Sequence, residues 1–284
     1  MKIRLTQDSY GKSAVRVAKI TRYSDYHEFK EVHVAIQLEG DFETVYTEGD
    51  NSKVLPTDTM KNTIFGLAKD HPLHTIEDFG LFLADYFLGH NPQIAKVTLE
   101  LAQIRWDRMA LNGVPHPYSY VGGGSEKATA YIQSTRQKTQ LRSGIRDLRV
   151  LKTTHSGFEN YIVDQFTTLP PTADRILATE LEAIWSYNTL AGLDFQKIRA
   201  KIREDLLTAF AAHHSRSVQH TLHAMGEVVL KNTAPVSEIS MKMPNLHYLP
   251  VNMTPWGLTN NNEIFVASGD AYGYITGTLK REEV

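Results

Sequence analysis

Apolar and polar residues alternate through most of the first forty positions. In "SAVRVAKITRY", Val15, Val17 and Lys19 fall on one face and Ala14, Arg16, Ala18 and Ile20 on the other. "EVHVAIQLEGDF" alternates in the same way, and the turn-like "RYSDYHEF" between the two predicts a long hairpin. The period then lengthens. After "VLPTDT", Met60, Ile64, Leu67 and Ala68 share a helix face. A second helix is predicted in "HTIEDFGLFLADYFLGHNP". Thr75 with Asp78 forms its capping pattern, Ile76, Phe79, Leu83 and Phe87 form its stripe, and Gly89 and Pro92 stop it. Two strands, "AKVTLELAQIRW" and "EKATAYIQST", close this half, with "NGVPHPYSYVGGGS" as the expected loop between them.

The second half repeats the order with little residue identity. "TQLRSGIRDLRVLKTT" and, after a polar insertion, "ATELEAIWSYNT" read as strands. Phe195, Ile198, Ile202, Leu206 and Phe210 mark one helix, and Val218, Leu222, Met225 and Val229 another. "SEISMKMPNLHYLPV" and "NEIFVASGDAYGYITGTL" end the chain as strands. This predicts an α+β protein of two tandem modules, residues 1–136 and 137–284. Each is a four-stranded antiparallel sheet with two helices over one face. The other face needs a cover, either a second sheet or closure into a barrel with further subunits, so an oligomer is expected.

Composition removes several function classes. The chain has 284 residues, 42% of them apolar and 22% charged, which is ordinary for a globular protein. A net charge of -2 gives no reason to expect nucleic acid or a membrane as partner. With no cysteine there is no disulfide, thiolate metal site or cysteine nucleophile. "MKIRLTQDSYGK" has no apolar run, "FGLFLADYFLG" is short and carries Asp85, and "KREEV" lacks a Ser-Lys-Leu ending, so a cytoplasmic location is expected. Among twelve histidines the close pairs are His71 with His74, His213 with His214 and His220 with His223. No HExxH and no suitably placed carboxylate completes them, and solvated or capping histidines are the better reading. "VGGGSEK" lacks phosphate-loop spacing and reads as a flexible hairpin turn; no GxSxG or GxGxxG is present.

Two short stretches hold residues that packing does not require. In "MPNLHYLPV", Asn245 and His247 stand two apart on one strand face. In "VLPTDTMKNTI", Thr57 and Asp58 open a helix, either as a cap or where unpaired N–H groups would receive an anion or carbonyl-rich ligand. The second string resembles the Thr-Asp-x-x-Lys-Asn segment of the urate oxidases (uricases). The resemblance runs nearly end to end. "SYGKSAVRV" is similar to that family's first strand, "GVPHPYSY" to its His-Pro hairpin and "LKTTHSGFENYIVDQFTTLPPTADRILAT" to its longest signature. "SVQHTLHAMG" is similar to its Val-Gln helix start and "MPNLHY" to its Pro-Asn-x-His strand.

The resemblance implies two tunnelling-fold modules per chain. Four chains would form a barrel, with active sites at subunit interfaces. It implies oxidation of urate by dioxygen to 5-hydroxyisourate and hydrogen peroxide without a metal or organic cofactor. Lys12, Thr57 and His247 correspond to the proton relay, in which a weakly basic hydroxyl passes its proton onward. Phe158 corresponds to the stacking platform and Arg175 to the purine clamp. Gln219 would grip the same plane and Val218 would offer a backbone N–H. Thr57 and Asp58 would close the far edge, Asp58 through its backbone. Asn245 would hold dioxygen or the attacking water. The sequence departs from the family in three places: Leu246 where lysine is common, Pro56 where a smaller residue is common, and Tyr118 where a second histidine is frequent. Leu246 is expected to point away from the site. The alternatives are another tunnelling-fold enzyme acting on a pterin or purine, or a non-catalytic purine-binding oligomer.

Overall fold

The structure, a computed structural model, describes residues 3–269 and 271–282. Chain contacts divide it into two compact units, the first ending at Gly144 and the second beginning at Ile145.

In the first unit β1 (Tyr10–Arg22), β2 (His27–Gly40), β3 (Ile94–Leu111) and β4 (Val114–Thr135) lie in that order, each antiparallel to the next. A short α1 (Glu43–Thr47), outside any apolar period, precedes α2 (Thr57–Asp70) and α3 (Ile76–His90). The alternation in β1 is realised, with Val15 and Val17 buried beside Val32, Val34, Ile36 and Leu38 of β2. The α3 stripe of Ile76, Phe79, Leu83 and Phe87 is fully buried. Thr75 accepts the Asp78 N–H at 3.1 Å as the capping pattern predicts. Lys19, the odd polar residue on the core face, donates to the carbonyls of Ala68, Lys69 and His71 at 2.8, 2.9 and 2.5 Å. Its charge thus meets the negative end of α2.

Gly11 has a steric reason to lack a side chain: a Cβ there would overlap the carbonyl oxygen of Ile36. Gly11→Ala is expected to loosen the β1–β2 pairing at this point. The cost should be about 1–3 kcal/mol of stability, read as a lowered denaturation midpoint. An unchanged midpoint would show that the close approach does not matter.

The first unit corrects two expectations. Residues 112–125 are not a loop. Asn112 and Gly113, both at positive φ (53° and 81°), make a two-residue turn. The Pro-rich stretch continues as strand, held by Arg108 donating to the His116 and Pro117 carbonyls at 2.9 and 2.7 Å. The glycines of "VGGGSEK" form no hairpin turn; they lie within β4, in an irregularity between the pairs Ile104–Lys127 and Trp106–Gly122.

β5 (Thr139–Lys152) begins before the boundary and runs into the second unit, where β6 (Leu177–Tyr187), β7 (Val236–Leu246) and β10 (Tyr274–Lys280) follow it in that order. Two helices, α4 (Phe195–Ala212) and α5 (Val218–Asn232), pack Ile202, Leu206, Leu222, Met225 and Val229 against Leu181, Trp185, Ile239 and Met241. The predicted strand 243–251 breaks at His247. Beyond the break, β8 (Tyr248–Pro250) pairs with β9 (Phe265–Ala267) in a separate two-stranded sheet.

The halves share devices that residue identity hides. Lys152 donates to the His213 carbonyl at the end of α4, as Lys19 does at the end of α2. His71 and His213 are the two C-caps, with nearly equal dihedrals. Arg136 binds the Leu88 carbonyl at the end of α3 at 3.0 Å, and Arg281 binds the Leu230 carbonyl at the end of α5. Thr75 and Ser217 are the matching N-caps.

Candidate active site

The residues after β5 have no regular structure, yet backbone bonds pin them. The Gly157 N–H donates to Ser215 at 2.8 Å and the Arg175 N–H to Ser156 at 2.7 Å, while Phe158 and Thr172 exchange bonds at 2.7 and 3.1 Å. A Cβ on Gly157 would stand 2.9 Å from the Ala173 carbonyl oxygen, so only glycine allows this approach. The ladder fixes where Phe158 and Arg175 point. Tyr161 stacks on the Phe158 ring, with centroids 4.9 Å apart and planes 16° from parallel. Its hydroxyl also donates to the Leu169 carbonyl at 2.5 Å. The Arg175 guanidinium carbon lies 5.5 Å from the Phe158 centroid. Its Nε is buried without a hydrogen-bond partner, and burial pulls the guanidinium below its ordinary pKa. A buried cationic donor without an acceptor is costly, and a ligand oxygen or nitrogen would relieve that cost.

Ser217 caps α5 by accepting the His220 N–H at 3.1 Å. The N–H groups of Val218 and Gln219 therefore remain at the positive helix end without an intrahelical acceptor. At the end of β7, Asn245 is buried and its N–H donates to the Gly273 carbonyl at 2.8 Å. Its amide nitrogen lies 3.5 Å from His247 Nδ1. The two side chains face each other as predicted, but across the break that ends β7 rather than along a continuous strand.

Phe158, Arg175, Val218, Gln219, Asn245 and His247 all line one cavity of about 550 Å³, with Leu169, Tyr248 and Phe265 in its apolar wall. That size suits a small organic ligand. Leu246 also lines it, against the expectation that it would point away; the chain leaves the sheet just after it. The sequence reading missed Tyr161 and Leu169. An aromatic three residues from the platform was the available signal for Tyr161, while nothing local marks Leu169.

The other three residues gather in the first unit. Lys12 pairs with Ile36 just before a bulge in β1 at which Ala14 takes φ 56°. The Tyr10 hydroxyl accepts the Leu55 N–H at 2.9 Å, tying β1 to the approach of α2. Thr57 opens α2 behind Pro56, which has no side-chain capping bond. Asp58 is thus no cap. Its carboxylate pairs with Lys61 and accepts from Asn62 at 3.0 Å. Lys61, and more weakly Lys12, holds that carboxyl below the usual range, which places the Lys12 charge near the α2 start.

A family model described as Uricase matches residues 8–133 and 141–276. The uricase of Arthrobacter globiformis is 39% identical over 281 residues, covering 99% of this chain and 91% of that one. The rabbit (Oryctolagus cuniculus) uricase is 35% identical, covering 99% and 95%. The crystal structure of the Arthrobacter uricase superposes with a TM-score of 0.94 at 39% identity, over 100% of this chain and 97% of that one. Paired sheet-and-helix units and full-length likeness agree: the chain belongs to the uricase family.

Proposed function

We propose that this oxidoreductase of the urate oxidase type binds urate in the cavity of the second unit and converts it, with dioxygen and water, to 5-hydroxyisourate and hydrogen peroxide. The observation that carries the binding mode is the buried, unpartnered Arg175 Nε beside the Phe158 ring, facing a cavity that also receives the α5 start. Urate is flat, rich in carbonyls and anionic at neutral pH. It matches an aromatic face, a guanidinium fork and free backbone donors. Gln219 completes the grip on the ring edge.

Proton removal falls to Thr57, Lys12 and His247, and Thr57 with the Asp58 backbone closes the edge of the purine. Deprotonated urate passes one electron to dioxygen, and the radical pair joins at the 5-carbon as a hydroperoxide. Peroxide leaves, and water adds to the resulting dehydrourate, so that urate, dioxygen and water balance hydroxyisourate and peroxide. Asn245 holds dioxygen and then water above the ring. The residues contribute positioning, proton transfer and exclusion of bulk water. Four copies forming a barrel, with two chains contributing to each site, would complete the assembly. The exposed Ile162, Val163 and Phe166 support a covered surface there.

The test is to add urate aerobically to chelator-treated protein and follow its ultraviolet absorbance together with oxygen and peroxide. Equal consumption of urate and oxygen is expected. Binding without turnover would indicate a purine-binding module instead. Turnover only after adding metal would indicate the other class of tunnelling-fold enzyme.

A further inference from the structure

The residue after Gln219 belongs to a different pocket. His220 joins His213, His214 and Arg216 around a space of about 700 Å³. The His213 and His220 rings meet nearly edge to face, with centroids 4.3 Å apart, and His214 approaches His155 at 5.7 Å. His213 is held in place as the C-cap of α4, with its carbonyl taken by Lys152. Its Nε2 is buried and has no hydrogen-bond partner. No carboxylate lines the pocket.

We propose that His213, His214, Arg216 and His220 form a binding site for a small tetrahedral oxyanion of the sulfate or phosphate class. A guanidinium with imidazole N–H groups suits oxyanion geometry, and a lining without carboxylates leaves nothing to repel an anion. A metal ion is the poorer occupant: no carboxylate would neutralise it and Arg216 would repel it. The charged and titratable groups acting on His213 are His220 from α5, Lys152 from β5 and the adjacent His214. Burial first, then repulsion from these groups, keeps the empty-site imidazole below its usual pKa. An anion reverses the repulsion and favours the protonated ring. Binding therefore takes up protons and strengthens as pH falls.

Sulfate is the probe, because its charge is constant across the range. Calorimetry at about pH 6 is expected to show saturable binding of one sulfate per chain, with a heat that depends on the buffer through proton uptake. Affinity should fall up to about tenfold per pH unit for each proton taken up. Chloride at equal ionic strength should not compete. The His213 ring resonance of the unsubstituted protein should shift on titration. Arg216→Gln and His220→Gln change exposed side chains and should each weaken binding about tenfold. Absence of saturable sulfate binding at about pH 6, or affinity unchanged by both substitutions, would overturn the site.

Discussion

The Lys12→Met protein is expected to bind urate nearly as well as the parent and to turn it over about a hundred to a thousand times more slowly. Lys12 stands at the edge of a bulge in β1, and its neighbours explain why a lysine is held there. Gly11 lets the strand pack tightly against Ile36, Tyr10 anchors the approach to α2, and the α2 start is left without a side-chain cap. None of these features grips a purine, and together they hold a cation beside the Thr57 hydroxyl's helix end. Methionine keeps most of the side-chain volume and removes the amine. Anaerobic urate titration measures binding, and single-turnover mixing with oxygenated buffer measures chemistry. Equal losses in both would remove Lys12 from the relay and make it a binding residue.

Arg175→Met should do the opposite, separating binding from stability. In the empty cavity the guanidinium is partly buried, with an unpartnered Nε and a pKa lowered by desolvation. Its charge therefore costs folding free energy until a ligand supplies an acceptor. Replacement by methionine is expected to leave the denaturation midpoint unchanged or raise it slightly. Charged hydrogen bonds to urate contribute roughly 1.5–3 kcal/mol each, so losing the bonds of the guanidinium fork should weaken urate binding at least tenfold. A clear loss of stability would mean that Arg175 serves the fold first and the ligand second.

These two experiments probe different units, and a comparison of helix starts explains the division of labour. In the second unit Asp194 caps α4, accepting the Lys197 N–H at 3.0 Å, whereas the corresponding α2 start in the first unit has no side-chain cap. One helix later both starts carry a side-chain cap, Thr75 and Ser217, and the units differ instead at the second helical residue. Glu77, at the position matching Gln219, is fully buried and accepts the Ser143 hydroxyl at 2.5 Å, while Gln219 remains exposed at the cavity. The α2 start is thus the one without a side-chain cap among these four helices, and Gln219 rather than Glu77 is the second helical residue left at a cavity. Slight identity between the halves conceals this, because the pattern lies in what each cap position bonds rather than in which residue occupies it.

Some expectations needed three dimensions to correct them. The glycines and prolines of residues 112–125 suggested a loop, since both residue types weaken strands in isolation. Arg108 and the Asn112–Gly113 turn overcome that tendency through bonds that no local pattern encodes. The apolar run 243–251 suggested one strand, but pairing partners end at Leu246 and the chain changes sheets.

By itself the sequence determined the number and type of long elements, the apolar stripes of the helices and the motifs that resemble uricases. Those properties depend on spacing within a dozen residues, where helix and strand periods are expressed directly. Tertiary structure alone decided that Phe158, Arg175, Val218, Gln219, Asn245 and His247 share one cavity, that the Arg175 Nε is buried there without a hydrogen-bond partner, and that the adjacent residues Gln219 and His220 line different pockets. Burial and hydrogen-bond partnership arise between segments far apart in the chain, so they exist only once the chain has folded.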